Sequence, residues 1–154
     1  MYKTARVSKN RRMFILFLIA VLCVLLLSRC VSARHRNLPK AENPADIAAF
    51  LAGFGWEVSE EPVNIKNVQI PAKFNEVYSN YNAMQKKQGF DLSKYRADIA
   101  ESWCFRVLNH PRSENTDVFA NVLVFKGKII GGDICSYAID GFMTGFDGVT
   151  NNYS

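Results

Sequence analysis

The chain is 154 residues long with a formal charge of +5, room for one domain and a leader. The excess is local. Residues 1–33 carry Lys3, Arg6, Lys9, Arg11, Arg12 and Arg29 and no acid, whereas from Glu42 onward ten Lys/Arg face fourteen Asp/Glu. A mildly acidic globular part has no electrostatic reason to seek a polyanion, so nucleic acid is excluded as a charge-driven partner.

The leader comes first in the chain. Residues 13–27, MFILFLIAVLCVLLL, hold no charge and no helix breaker, and they follow the basic cluster RVSKNRR. That is a positive n-region followed by an apolar h-region. As a helix the run rises about 22 Å, short of a hydrocarbon core of ~30 Å, but Arg12 and Arg29 can snorkel and Ser28 adds length. Two fates follow. The expected one is a single-pass anchor in the cell membrane. The alternative is secretion after cleavage near Ala33, where Val31-Ser32-Ala33 satisfies the small-residue rule. The Lys/Arg bias favours the N-terminus inside and the domain outside the cytoplasm: five cations and the amino terminus precede the span, and four follow it in 28–42. The organisation expected is a basic cytoplasmic n-region (1–12), a signal-anchor or signal-peptide helix (13–28), a linker (29–43), a globular domain (44–148) and a tail (149–154).

The domain opens on NPADIAAFLAGFGWEV. Asn43 caps a helix, Pro44 suits its first position, and Ile47, Phe50, Leu51 and Phe54 line one face until Gly55 ends it. WEV and VNIKNVQIP read as short strands. A second helix follows in AKFNEVYSNYNAMQKKQGF, with Phe74, Val77, Tyr78, Tyr81 and Met84 as its apolar stripe and Gly89 as its stop. FDLSKY reads as a capped single turn. The last third is strand-rich: 99–109, a turn at 111–116, then 117–125 and 128–138 joined across Lys126-Gly127 as a two-residue hairpin.

That hairpin sets a register. It places Val124 opposite Ile129, Val122 opposite Gly131 and Ala120 opposite Asp133. Phe119, Leu123, Ile130 and Ile134 then share one face, with Trp103 joining them. Gly131-Gly132 lies within a strand and not before a helix, so it is no phosphate cradle. Its expected role is relief, leaving room for a bulge or a close-packed aromatic.

Chemistry is sparse. Cys104 and His110 are about 20 Å apart along an extended strand, too far for a thiol dyad. No Cys/His spacing suits a metal, and Asp133, Asp140 and Asp147 form no calcium loop. Cys104 and Cys135, expected opposite Val122 and Val118, are too far apart for a disulfide and read as two buried thiols. No catalytic residue, metal, disulfide or cofactor is assigned. The binding candidates are Phe142, Met143 and Phe146 in DGFMTGFDG, a surface patch if exposed, and Tyr78 and Tyr81 on the second helix. For the DGFMTGFDG segment the bland alternative is that it folds back over the core; for the aromatic stripe it is core packing.

The blocks GWEV, IPAKFNEVYSNYNAMQKKQGFDLSKY and NVLVFKGKIIGGDICSYAIDGFMTGF together resemble the bacterial domain-of-unknown-function family four-eight-three-zero over residues 44–147. The resemblance implies a small membrane-tethered domain of Gram-positive bacteria and brings no activity or catalytic residues with it. The fold expected is α+β: two helices packed on an antiparallel sheet of three to five strands, with a C-terminal β-meander behind an N-terminal transmembrane or signal helix. The function expected is a noncatalytic interaction or regulatory module outside the cytoplasm, contacting the membrane through its leader and a protein partner at the cell envelope. The alternatives are a small-ligand or peptide binder using the second-helix aromatics, and a secreted enzyme using Glu101, Asp133 or Asp140.

Overall fold

A computed structural model describes residues 38–148; the expectations for the leader, most of the linker and the tail lie outside them. Two α-helices, α1 (Pro44–Ala52) and α2 (Glu76–Lys87), and a 3₁₀ turn (Leu92–Tyr95) accompany five strands: β1 (Asn64–Gln69), β2 (Ile99–Arg106), β3 (Phe119–Phe125), β4 (Lys128–Cys135) and β5 (Met143–Thr144). The strands form one open antiparallel sheet in the order β1-β2-β3-β4-β5. The fold is α+β, and the meander runs through the whole sheet. Among the described residues no helix is long and apolar enough to cross a membrane.

Local chemistry accounts for the helix ends. Asn43 and Asn75 cap α1 and α2 by accepting from the N–H of Asp46 and Tyr78. Both helices close in a Schellman motif. Trp56 N–H reaches Leu51 C=O with Gly55 at positive φ, and Phe90 N–H reaches Gln85 C=O with Gly89 at positive φ. Each motif therefore delivers an aromatic just past its glycine. The Lys126-Gly127 turn has positive φ at both residues, the type I′ geometry that matches strand twist.

The register departs from expectation after two pairs. Phe125↔Lys128 and Val124↔Ile129 hold, but a bulge between Leu123 and Val124 leaves Ile130 as an extra residue, and Leu123 then faces Gly131. Every later pair slips by one: Val122 faces Gly132, Asn121 faces Asp133, and Ala120 faces Ile134. A one-residue slip reverses faces. Ile134 therefore lies on the opposite face from Phe119 and Leu123, and Cys135 faces Phe119 rather than Val118. Independently, β2 pairs with β3 one residue off the expected register, so Cys104 faces Asn121 rather than Val122 and Trp103, opposite Val122, shares the face of Ile134.

The two glycines look to opposite sides of the sheet. A Cβ at Gly131 would meet Gln85 and Leu92, whereas one at Gly132 would collide with the Phe146 ring and the Asn121 carbonyl. The Gly131 face thus carries α2 and the 3₁₀ turn, with Tyr95 packed edge-on to Phe125. The Gly132 face carries Phe146, whose ring meets Phe50 of α1 and Phe90. With both faces covered, β4 is buried from Ile129 to Cys135.

A buried strand with a free edge must also satisfy its outward N–H and C=O groups. Three devices do this for β4. Pro39 and Ala41 bond to Ile129 and Gly127 at one end, β5 pairs with Ile134 and Cys135 at the other, and the Gln85 side chain fills the middle. Its Nε2 donates to Gly132 C=O at 2.9 Å and its Oε1 accepts from Gly132 N–H at 2.8 Å. Gln88 also donates to that carbonyl and accepts from Phe146 N–H. The stripe of α2 is accordingly shifted: Asn82, Met84 and Gln85 are its buried residues, while Val77 is 75% exposed.

Gly132→Ala should cost about 3 kcal/mol, because the new methyl meets a backbone carbonyl and a packed ring. Gly55→Ala, strained by backbone alone, should cost about 1 kcal/mol. Urea denaturation of both variants tests this, and equal losses would mean that the Phe146 strap gives way freely.

Candidate functional site

The register slip assembles a polar cluster on the Gly131 face. Asp133, 3% exposed, accepts from Tyr81 OH at 2.8 Å and from Asn121 Nδ2 at 2.9 Å. The same Asn121 amide reaches Cys135 Sγ at 3.2 Å and Tyr137 OH at 3.1 Å. Burial raises the Asp133 carboxyl above its ordinary range, against the hydrogen bonds from Asn121 and Tyr81 that lower it. Burial, reinforced by the nearby Asp133, pushes the Cys135 thiol up to about 12 and also raises Cys104. Tyr137 is raised to about 12 and Tyr81 well above its usual value, burial being the first cause of each. All five groups are biased toward their protonated forms. The thiolate is the reactive form of a cysteine, and burial disfavours it at both Cys104 and Cys135.

The residues singled out from sequence divide among different roles. Tyr81 is spent on Asp133, and Tyr78 is half-buried between Phe74 and Tyr81. The surface patch expected at Phe142, Met143 and Phe146 does not form as one. Phe146 is 0% exposed, with its N–H on Gln88 and its C=O taking the Trp56 indole N–H at 2.6 Å. Phe142 stacks on His110, which stacks in turn on Trp56. Met143 alone of the three is exposed, at 48%. The segment folds back because the Gly132 face has an opening that only an aromatic ring fills.

The three carboxylates do not converge. Asp133 is buried on the Gly131 face, Glu101 lies exposed opposite Val124 on the Gly132 face, and Asp140 pairs with Arg112 in the β4–β5 loop. Among the described residues no three His, Cys, Asp or Glu side chains come together as a metal site. Cys104 is partly exposed, Cys135 is buried, and both thiols are free.

A site the sequence did not flag lies on the Gly132 face where α1 leaves the sheet bare. A groove of about 660 Å³ runs over Asn67, Ile99, Glu101, Trp103 and Val124, walled by Ala41 and Glu42 and rimmed by Lys126. Trp103 donates its indole N–H to Glu101 Oε2 at 2.9 Å, which fixes the ring beside the carboxylate. Ile65, opposite Trp103, is 47% exposed, and Ile99 is 63% exposed. Glu101 shares strand parity with Trp103, and that was the available signal. Its value depended on knowing which half of the sheet α1 covers.

The chain matches the model for Domain of unknown function (DUF4830) over residues 50–134, more than half its length. It belongs to that family. No curated protein and no solved structure matches it significantly. The DUF4830 match runs from Phe50 in α1 to Ile134 in β4, so it includes Gln85, the glycine pair, Asp133 with Tyr81 and Asn121, and the floor of the Trp103 groove.

Asp133 provides a pH test. A carboxyl whose folded pKa is raised stabilises fully below its unfolded pKa, near 3.8, and loses that contribution as pH rises through the folded value. The stability of Asp133→Asn relative to wild type should therefore improve as pH rises through 3.8 and level off once pH has passed the folded value. A difference that stays flat or falls would show that the charged carboxylate is the form the fold favours.

Proposed function

We propose that this DUF4830 domain is a noncatalytic interaction module, held at the outer side of the cell membrane by the 13–28 segment and contacting an envelope protein through the Trp103 groove. The observation that carries this reading is the Trp103–Glu101 pair, set in an open groove beside the buried β3–β4 half of the sheet. An indole beside a carboxylate with exposed isoleucines offers an anchor surface of the kind that dominates protein interfaces. The titratable groups support it from the other direction: burial shifts Asp133 and Cys135 toward their protonated forms, and the carboxylates are dispersed over two faces and a loop. The basic cluster ahead of an uncharged run supports the tether and its orientation.

Two measurements test the reading. Protease shaving of intact cells should digest the domain and leave a protected N-terminal fragment; a domain protected until lysis contradicts the outside location. Crosslinking in living cells with the tagged full-length chain should return a specific partner that is lost on Trp103→Ala. Recovery indistinguishable from a tag-only control contradicts the interaction role.

A further inference from the structure

The sheet treats its two edges differently. The outer edge of β4 is closed by a bridging segment, a glutamine side chain and β5. At the outer edge of β1 the backbone bonds run inward to β2, and among the described residues no group bonds to the far side. β1 is exposed along almost its whole length. Unpaired edge groups are a template for an added strand. We propose that β1 receives an extended segment of a partner protein by strand addition, and that a Lys or Arg on that segment is read by Glu101 in the Trp103 groove.

The placement follows from the register. Asn67, Glu101 and Val124 lie in one row across β1, β2 and β3, their side chains on the Gly132 face. A peptide residue paired with Asn67 would sit about 10 Å from Glu101, two strand spacings of ~4.8 Å. A Lys or Arg stem laid over the short Asn67 side chain closes that gap, with its apolar length along the groove floor. Glu101 uses Oε2 for Trp103 and has no cationic partner among the described residues, so Oε1 is available to a cation. The charges favour this occupant over a second copy of the chain: Lys66, at the middle of β1, would face Lys66 of an antiparallel copy centred there. This inference rests on the interaction-module reading and gives it a ligand chemistry.

The test uses the purified full-length chain in mild detergent and three fluorescein-labelled nonapeptides of alternating valine and threonine. One carries a central lysine, one a central glutamate, and one the lysine with alternate backbone nitrogens methylated. The lysine peptide should bind saturably, the glutamate peptide about tenfold more weakly, and the methylated peptide not at all. Glu101→Gln should weaken the lysine peptide about fivefold, the effect of an exposed ion pair. Hydrogen exchange should slow in Asn64–Gln69 when it binds. Equal binding of the lysine and glutamate peptides, binding of the methylated one, or no saturable binding overturns the proposal. So does self-association through β1 that excludes peptide. Protection confined to the β4–β5 loop also overturns it while leaving the interaction module standing, whereas the module itself falls with a negative crosslinking result in cells.

Discussion

A peptide group in the middle of a buried strand needs two hydrogen bonds, and at Gly132 a side-chain amide supplies both. Gln85 presents the same donor–acceptor pair that a neighbouring strand would, and it does so from a helix on the Gly131 face. The consequences spread outward. α2 is fixed to the sheet by geometry that apolar contact alone would leave adjustable, because amide pairing has a direction and dispersion does not. Gln88, one turn on, extends the link to Phe146 N–H, and Trp56 takes the other side of that residue. A C-terminal strap with only two strand residues is thereby held across the Gly132 face, and its ring fills the space that the glycine leaves.

The same strand holds the polar cluster together. The bulge at Ile130 turns Asp133 onto the Gly131 face, under Tyr81 and beside Asn121, where burial disfavours its charge. A carboxyl in that position is tolerable because its oxygens are hydrogen-bonded, and no buried side-chain polar atom among the described residues lacks a partner. Satisfied networks of this kind specify one arrangement of α2 on the sheet. They also leave little chemistry to spare. What remains open is the β1–β2 half of the Gly132 face, beyond the reach of α1, and it is there that an indole, a carboxylate and exposed isoleucines meet solvent.

Much of this was legible from the residues. Asn43, Gly55 and Gly89 marked helix boundaries because caps and αL stops are local physics, and Lys126-Gly127 marked the hairpin for the same reason. Gly131-Gly132 read as room for a bulge or an aromatic, and both are present. The failures were non-local. A hairpin register counted outward from its turn cannot register a bulge whose cause is packing on both faces, and the single slip reversed Ile134 and brought Asp133 to Asn121. Gln85 drew no notice in the apolar stripe of the second helix, because its partner is a backbone 47 residues away. For Phe146 the residues left a surface patch and a fold back over the core both open, and the opening that the ring fills belongs to another strand.

The central claim is that the Gln85 amide substitutes for a missing strand at Gly132. Gln85→Leu keeps similar bulk and removes both bonds, leaving the buried Gly132 N–H without a partner and its C=O with the longer Gln88 bond alone. Stability by urea denaturation, read alongside amide exchange at Gly132, measures the claim most directly. A loss of about 2–4 kcal/mol with faster exchange at Gly132 than at Val122 is expected. A variant within about 0.5 kcal/mol of wild type, its Gly132 amide still protected, would contradict the account.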